Sequence, residues 1–147
     1  MNSVQLVRLV LLDGDPEGLR SVSIAGRTTV VTGCPYAGLQ ALRKRDEARR
    51  PAICFLVGDD LQQQREAVYI GECDSLHDRF ASSHHASDRA DWRHIFVAST
   101  SDRTFNKAHA RRAEHPLVQR ASETKRAVVL TRQTSAGELD DGRSEVV

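Results

Sequence analysis

The stretch Ala67-Val68-Tyr69-Ile70-Gly71-Glu72, with Arg79 eight residues after its glycine, decides how the rest of the chain is read. A short apolar run closing on Gly reads as a buried strand, and Asp74 then stands at an N-cap position ahead of Leu76, Arg79 and Phe80. The pattern predicts a strand, a tight exit and a helix. Tyr69 ends the strand, and Arg79 faces it from the helix.

Working back toward the N-terminus, Ile53 to Val57 is a continuous apolar run. It is separated from the Tyr69 strand by a polar loop over Asp59 to Glu66, so the two runs are expected to pair antiparallel at the centre of a sheet. Before Pro51, Pro35 suits the first turn of a helix with Leu39, Ala41 and Leu42 on its apolar side. Arg43, Lys44, Arg45, Arg49 and Arg50 form a basic cluster there, read first as a solvated helix end and second as a phosphate contact. Earlier still, Val4 to Leu12 and Leu19 to Ile24 flank a turn-forming segment, Asp13-Gly14-Asp15-Pro16-Glu17-Gly18, and predict a hairpin. The spaced aspartates lack the distal glutamate of a calcium loop. Thr28 to Thr32 predicts a third strand that Gly33 ends.

Downstream, Ser82 to Asp91 is polar and loop-like, and Trp92 to Ser99 predicts another strand. Ser101 or Thr104 can cap a helix through Lys107, Arg111 and Glu114. Pro116 removes a helical hydrogen bond to the Arg112 carbonyl, yet apolar spacing continues at Leu117, Val118 and Ala121. One kinked helix is therefore expected rather than two segments. Ala127 to Leu130 predicts a last short strand, and 133–147 an acidic, disordered tail.

A chain of 147 residues suits one core, and 28% charged residues with a mean hydropathy of -0.45 predict a well-solvated surface. No apolar run approaches a membrane span, and Val7 to Leu12 is too short for the core of a secretion signal, so a cytoplasmic protein is expected. Three cysteines without a Cys-x-x-Cys pair argue against a disulfide framework or a zinc ribbon. The net charge of +1 hides an uneven distribution. From Arg103 to Arg132, eight Lys/Arg stand against two Glu, a net +6 that can face phosphates.

The order of these features resembles the GIY-YIG nuclease superfamily, in a less-characterised branch. Tyr69-Ile70-Gly71 matches the second motif, Arg79 the helical arginine, and Lys107-Ala108-His109-Ala110-Arg111-Arg112-Ala113-Glu114 the segment leading to a metal-binding glutamate. The first motif departs from the family: Ala52-Ile53-Cys54 stands where Gly-Ile-Tyr is expected. The resemblance spans roughly Pro51 to Leu130 and implies an α+β fold with a small, mostly antiparallel central sheet flanked by helices. On this reading 51–132 is the nuclease-like domain, and 1–50 is an N-terminal strand-and-helix extension packed on the same core.

The resemblance implies a divalent-metal-dependent endonuclease acting on DNA, with Mg²⁺ or Mn²⁺ on Glu114. Phosphodiester cleavage needs a nucleophile, a proton acceptor and positive charge at the pentacoordinate phosphate. Arg79 can donate to the non-bridging oxygens, and Tyr69 assists nearby. Lys107, Arg111 and Arg112 are the expected phosphate contacts. His84 and His85 are candidate bases in place of the missing tyrosine, because imidazole titrates near neutrality. Cys54 is too short for that role and is read as core. The histidine spacing, His109 to His115 included, matches no zinc motif. Tyr69, Arg79 and Glu114 are expected to converge in one cleft. Cutting both DNA strands would take a homodimer or rebinding, and specificity can come from a partner. The other reading is a catalytically silent module of the same fold that binds nucleic acid or a protein.

Overall fold

The computed structural model describes residues 3–79, 90–100 and 106–131, without the side chains of Arg79 and Lys107. The expected bases His84 and His85, the expected caps Ser101 and Thr104, and the tail 133–147 lie outside the described residues.

The architecture is α+β. Strands β1 (Val7–Leu11) and β2 (Arg20–Ile24) form the predicted antiparallel hairpin. Its turn is held by Asp13, whose carboxylate accepts from the Asp15 and Leu19 amides at 3.0 and 3.1 Å. Asp15 in turn accepts from the Glu17 amide at 2.9 Å. The spaced aspartates thus satisfy loop amides, as Asx turns do.

Strand β3 (Thr29–Pro35) pairs with β2 and does not stop at Gly33. That glycine lies opposite Phe96 of β6 (Ala90–Thr100), and a Cβ there would collide with the Phe96 ring. The glycine clears space inside the strand instead of ending it.

A 3₁₀ turn over Tyr36–Gly38 leads into α1 (Leu39–Arg43), and a second over Asp46–Arg49 leads out. Leu39 and Leu42 are buried as expected, whereas Ala41 is exposed. Strand β4 (Ala52–Asp60) pairs antiparallel with β5 (Glu66–Cys73) over eight residue pairs, so the expected polar loop shortens to 61–65. A single turn of helix, α2 (Leu76–Arg79), follows. Ser75, not Asp74, caps it: the Ser75 hydroxyl accepts from the Asp78 amide at 3.3 Å.

Helix α3 (Lys107–Thr124) runs through Pro116 as one helix and is capped by Asn106. The Asn106 side chain accepts from the His109 amide, and His109 Nδ1 accepts from the Asn106 amide, closing a reciprocal box. Lys125 ends the helix with φ of 56°. Strand β7 (Val128–Leu130) then returns parallel to β5.

The seven strands among the described residues form one sheet in the order β1-β2-β3-β6-β4-β5-β7, antiparallel except at β5–β7. This is larger than the small sheet expected. Strands β1 to β3 are its continuation through β6, and β4–β5 lies toward one end. Two apolar layers cover that end. On one face Leu42 of α1 and Leu76 of α2 join Leu56, Tyr69 and Ile95 of the sheet; on the other Ile53 and Ile70 meet Ala110 and Val118 of α3. Among the described residues no helix is long and apolar enough to cross a membrane.

Candidate functional site

Strand alternation decides where each candidate points. Ala67, Tyr69 and Cys73 belong to the core under α1 and α2, while Val68 and Ile70 belong to the layer under α3. Tyr69 is only 2% exposed, so its ring is core rather than a wall of an open cleft. Its hydroxyl leans forward along the strand over Gly71, where a Cβ would come within 2.8 Å of the oxygen and 2.9 Å of the ring. The third residue of Tyr-Ile-Gly must therefore be small for the first to take this course.

Glu114 reaches the same place from the other helix layer. Among the described residues, strand β7 pairs with β5 at Ala67, Val68 and Tyr69 and no further. The Glu114 carboxylate takes up that edge, with Oε1 accepting from the Glu72 amide at 3.4 Å. A carboxylate at the unpaired edge of a strand satisfies a backbone donor that would otherwise be lost. Tyr69 and Glu114 therefore meet at Gly71–Glu72 from opposite sides, not across one pocket.

Glu72 is a member of the site that sequence reasoning missed. Its carboxylate is 5% exposed on the α3 side, and Arg111 Nη2 stands 3.9 Å from Oε1. The available signal was the alternation Val68, Ile70, Glu72, which puts an acid on an apolar face. Arg111 is thus drawn partly toward Glu72 as well as solvent, while Arg112 is exposed.

Arg79 closes α2, two residues beyond a clasp that the sequence did not disclose. Arg43 donates through Nε and Nη2 to the His77 carbonyl at 3.0 and 2.8 Å. His77 Nδ1 lies 3.0 Å from the Arg43 carbonyl, which can only accept, so Nδ1 carries the proton. The basic cluster at the end of α1 is therefore largely structural. Arg50 donates to the Thr100 carbonyl, and Arg45 pairs with Glu47.

Cys54 is 3% exposed, as its reading as core requires, and its sulfur lies 3.1 Å from that of Cys73. Cys34 is also buried; desolvation and then the charge of Asp13 push its thiol up to about 11. Burial likewise raises the Tyr36 hydroxyl.

Among the described residues no three His, Cys, Asp or Glu side chains come together as a metal cage. Mg²⁺ and Mn²⁺ make no such demand, since a hard cation of this kind keeps several waters and takes one or two carboxylates. Glu114, at the strand edge, is a carboxylate that could serve such an ion.

Comparison with protein-family models, with curated proteins and with solved structures found no match to this chain.

Proposed function

We propose that the chain is a divalent-metal-dependent endonuclease of GIY-YIG type that hydrolyses phosphodiester bonds in DNA. The observation that carries this reading is that the Tyr69 hydroxyl lies at Gly71 and the Glu114 carboxylate at the Glu72 amide, neighbouring residues of the strand that leads into the helix bearing Arg79. Glu114 would hold Mg²⁺ or Mn²⁺. The bound ion supplies charge for the pentacoordinate phosphate and lowers the pKa of a water. Arg79 donates to the non-bridging oxygens, and the Arg43–His77 clasp sets the turn that carries it. Tyr69 acts by positioning, given its burial. His84 and His85 remain the candidate bases. Lys107, Arg111 and Arg112 lead the DNA backbone onto α3. Buried reduced thiols suit a cytoplasmic setting.

The second reading, a silent nucleic-acid or protein-binding module of the same fold, is favoured by one observation. Cys54 replaces the first-motif tyrosine and is turned to Cys73 inside the core.

Nicking of supercoiled plasmid separates the two. Glu114→Gln keeps an acceptor for the Glu72 amide and removes the negative charge. It should lower Mg²⁺- or Mn²⁺-dependent nicking by about 10²-fold or more while leaving the unfolding midpoint nearly unchanged, and Arg79→Ala should do the same to nicking. If the unaltered chain binds DNA but nicks it with neither metal, the silent module is correct.

A further inference from the structure

Cys54 and Cys73 sit on neighbouring antiparallel strands, but not directly opposite one another. Cys54 faces Gly71, and Cys73 faces Ala52. Each thiol therefore has one of the smallest residues as its direct partner, and the space this leaves lets the two side chains lean across the diagonal. Their sulfurs lie 3.1 Å apart, roughly 1 Å beyond the ~2.05 Å of a disulfide bond. Both residues are almost wholly buried, 3% and 4% exposed, in the core that also holds Tyr69 and Leu76.

The positions matter as much as the distance. Cys54 ends the Ala52-Ile53-Cys54 segment, and Cys73 is the last residue of β5 before the turn into α2. A bond between them would tie the two motif strands together where β5 gives way to that helix.

We propose that Cys54 and Cys73 form a reversible disulfide, making the β4–β5 pair a redox-sensitive lock. A hydroperoxide is the oxidant. One cysteine thiolate attacks a peroxide oxygen and the O–O bond breaks, giving a sulfenic acid and an alcohol, or water from hydrogen peroxide. The second thiol then attacks the sulfenic sulfur. The S–S bond forms, the S–O bond breaks, and water leaves with the thiol proton. Two electrons pass from the sulfurs to the peroxide, and a dithiol reductant returns them. The closed loop runs from Cys54 to Cys73, most of the β4–β5 hairpin, so the bond stabilises the fold by restricting the unfolded chain. Burial slows the first attack, so oxidation follows local opening of the strand ends.

Cys34 provides an internal control, since it lies on β3, two strands from β4. The full chain should be treated with hydrogen peroxide, unfolded, alkylated with N-ethylmaleimide, and weighed intact. One maleimide in place of three, with a 54–73 linked peptide in the digest, is the expected result. Dithiothreitol before unfolding should restore three. The oxidised chain should also unfold at a higher temperature than the reduced one. Cys34→Ser should leave both changes in place; Cys73→Ser should abolish them. Three maleimides after oxidation, a linkage through Cys34, or an unchanged melting temperature would overturn the proposal. The peptide map of the unaltered chain decides the linkage even if Cys73→Ser does not fold. None of these readouts depends on nuclease activity.

Discussion

The sheet has two unfinished edges, and the chain treats them differently. At one, β1 carries Val7, Leu9, Val10 and Leu11 exposed, with nothing packed over either side of the strand among the described residues. At the other, β7 covers β5 only as far as Tyr69, and the next open amide is taken by a carboxylate from α3. An edge closed by a side chain can be closed by a charged, ligand-capable one, which a neighbouring strand never supplies. Among the described residues the end of β5 is thus closed by a carboxylate, while β1 shows the same exposed backbone left to solvent.

The largest test of this contrast is thermodynamic. Tyr69 is almost wholly buried between β5 and the α1–α2 layer, so Tyr69→Ala should cost about 3–5 kcal/mol in denaturant unfolding. Leu9 is 58% exposed at the other edge, and Leu9→Ala should change stability by no more than about 0.5 kcal/mol. Comparable losses at both sites would mean that β1 is covered in solution, and the asymmetry would fall.

A smaller effect separates the edges in binding. Arg112 is exposed on the helix that closes β5, and Arg8 stands exposed on β1. If DNA lies along α3, Arg112→Gln should reduce the slope of log affinity against log salt by about one unit. Arg8→Gln should leave it unchanged. Equal shifts, or binding that ignores salt, would remove DNA from the helix-covered end.

The contrast was only half legible in the sequence. The hairpin of β1 and β2, the pairing of β4 with β5, and the unbroken course of α3 through Pro116 all follow from local patterns of turn formers and apolar spacing. The sheet order does not. That β6 sits between β3 and β4, joining the N-terminal strands to the motif strands, is a contact between distant segments that no local period encodes. Caps were misplaced because Asp74 and Ser75, or Ser101, Thr104 and Asn106, are chemically near-equivalent cappers. The geometry of each turn chooses between them. Gly33 was read as a terminator although its reason is the Phe96 ring across the sheet. The single cleft expected of Tyr69, Arg79 and Glu114 is not what Tyr69 and Glu114 form, and the Arg79 side chain lies outside the described residues. Tyr69 follows the period of β5 into one layer, and Glu114 follows the period of α3 onto the other.

The smallest expected effect lies in the turn that ends β1. The Leu19 and Asp15 amides hold the Asp13 carboxyl below its ordinary 3.8, the Leu19 bond being the larger cause. A carboxyl whose pKa is depressed by folding favours the fold above its unfolded value. That contribution disappears as the pH falls from 3.8 through the lowered folded value. The turn should therefore be insensitive to pH around neutrality and loosen only in acid. Followed by the Leu19 amide resonance, the transition should have its midpoint below 3.8, and Asp13→Asn should abolish it. Asp13 is fully exposed and β1 carries no covering layer, so the unfolding midpoint of the whole chain should be nearly the same in Asp13→Asn as in the parent at neutral pH. A midpoint at or above 3.8 would show that the carboxylate does not hold the turn. A large loss of stability in Asp13→Asn would show instead that the hairpin edge is bound to the rest of the fold as tightly as the edge that Glu114 closes.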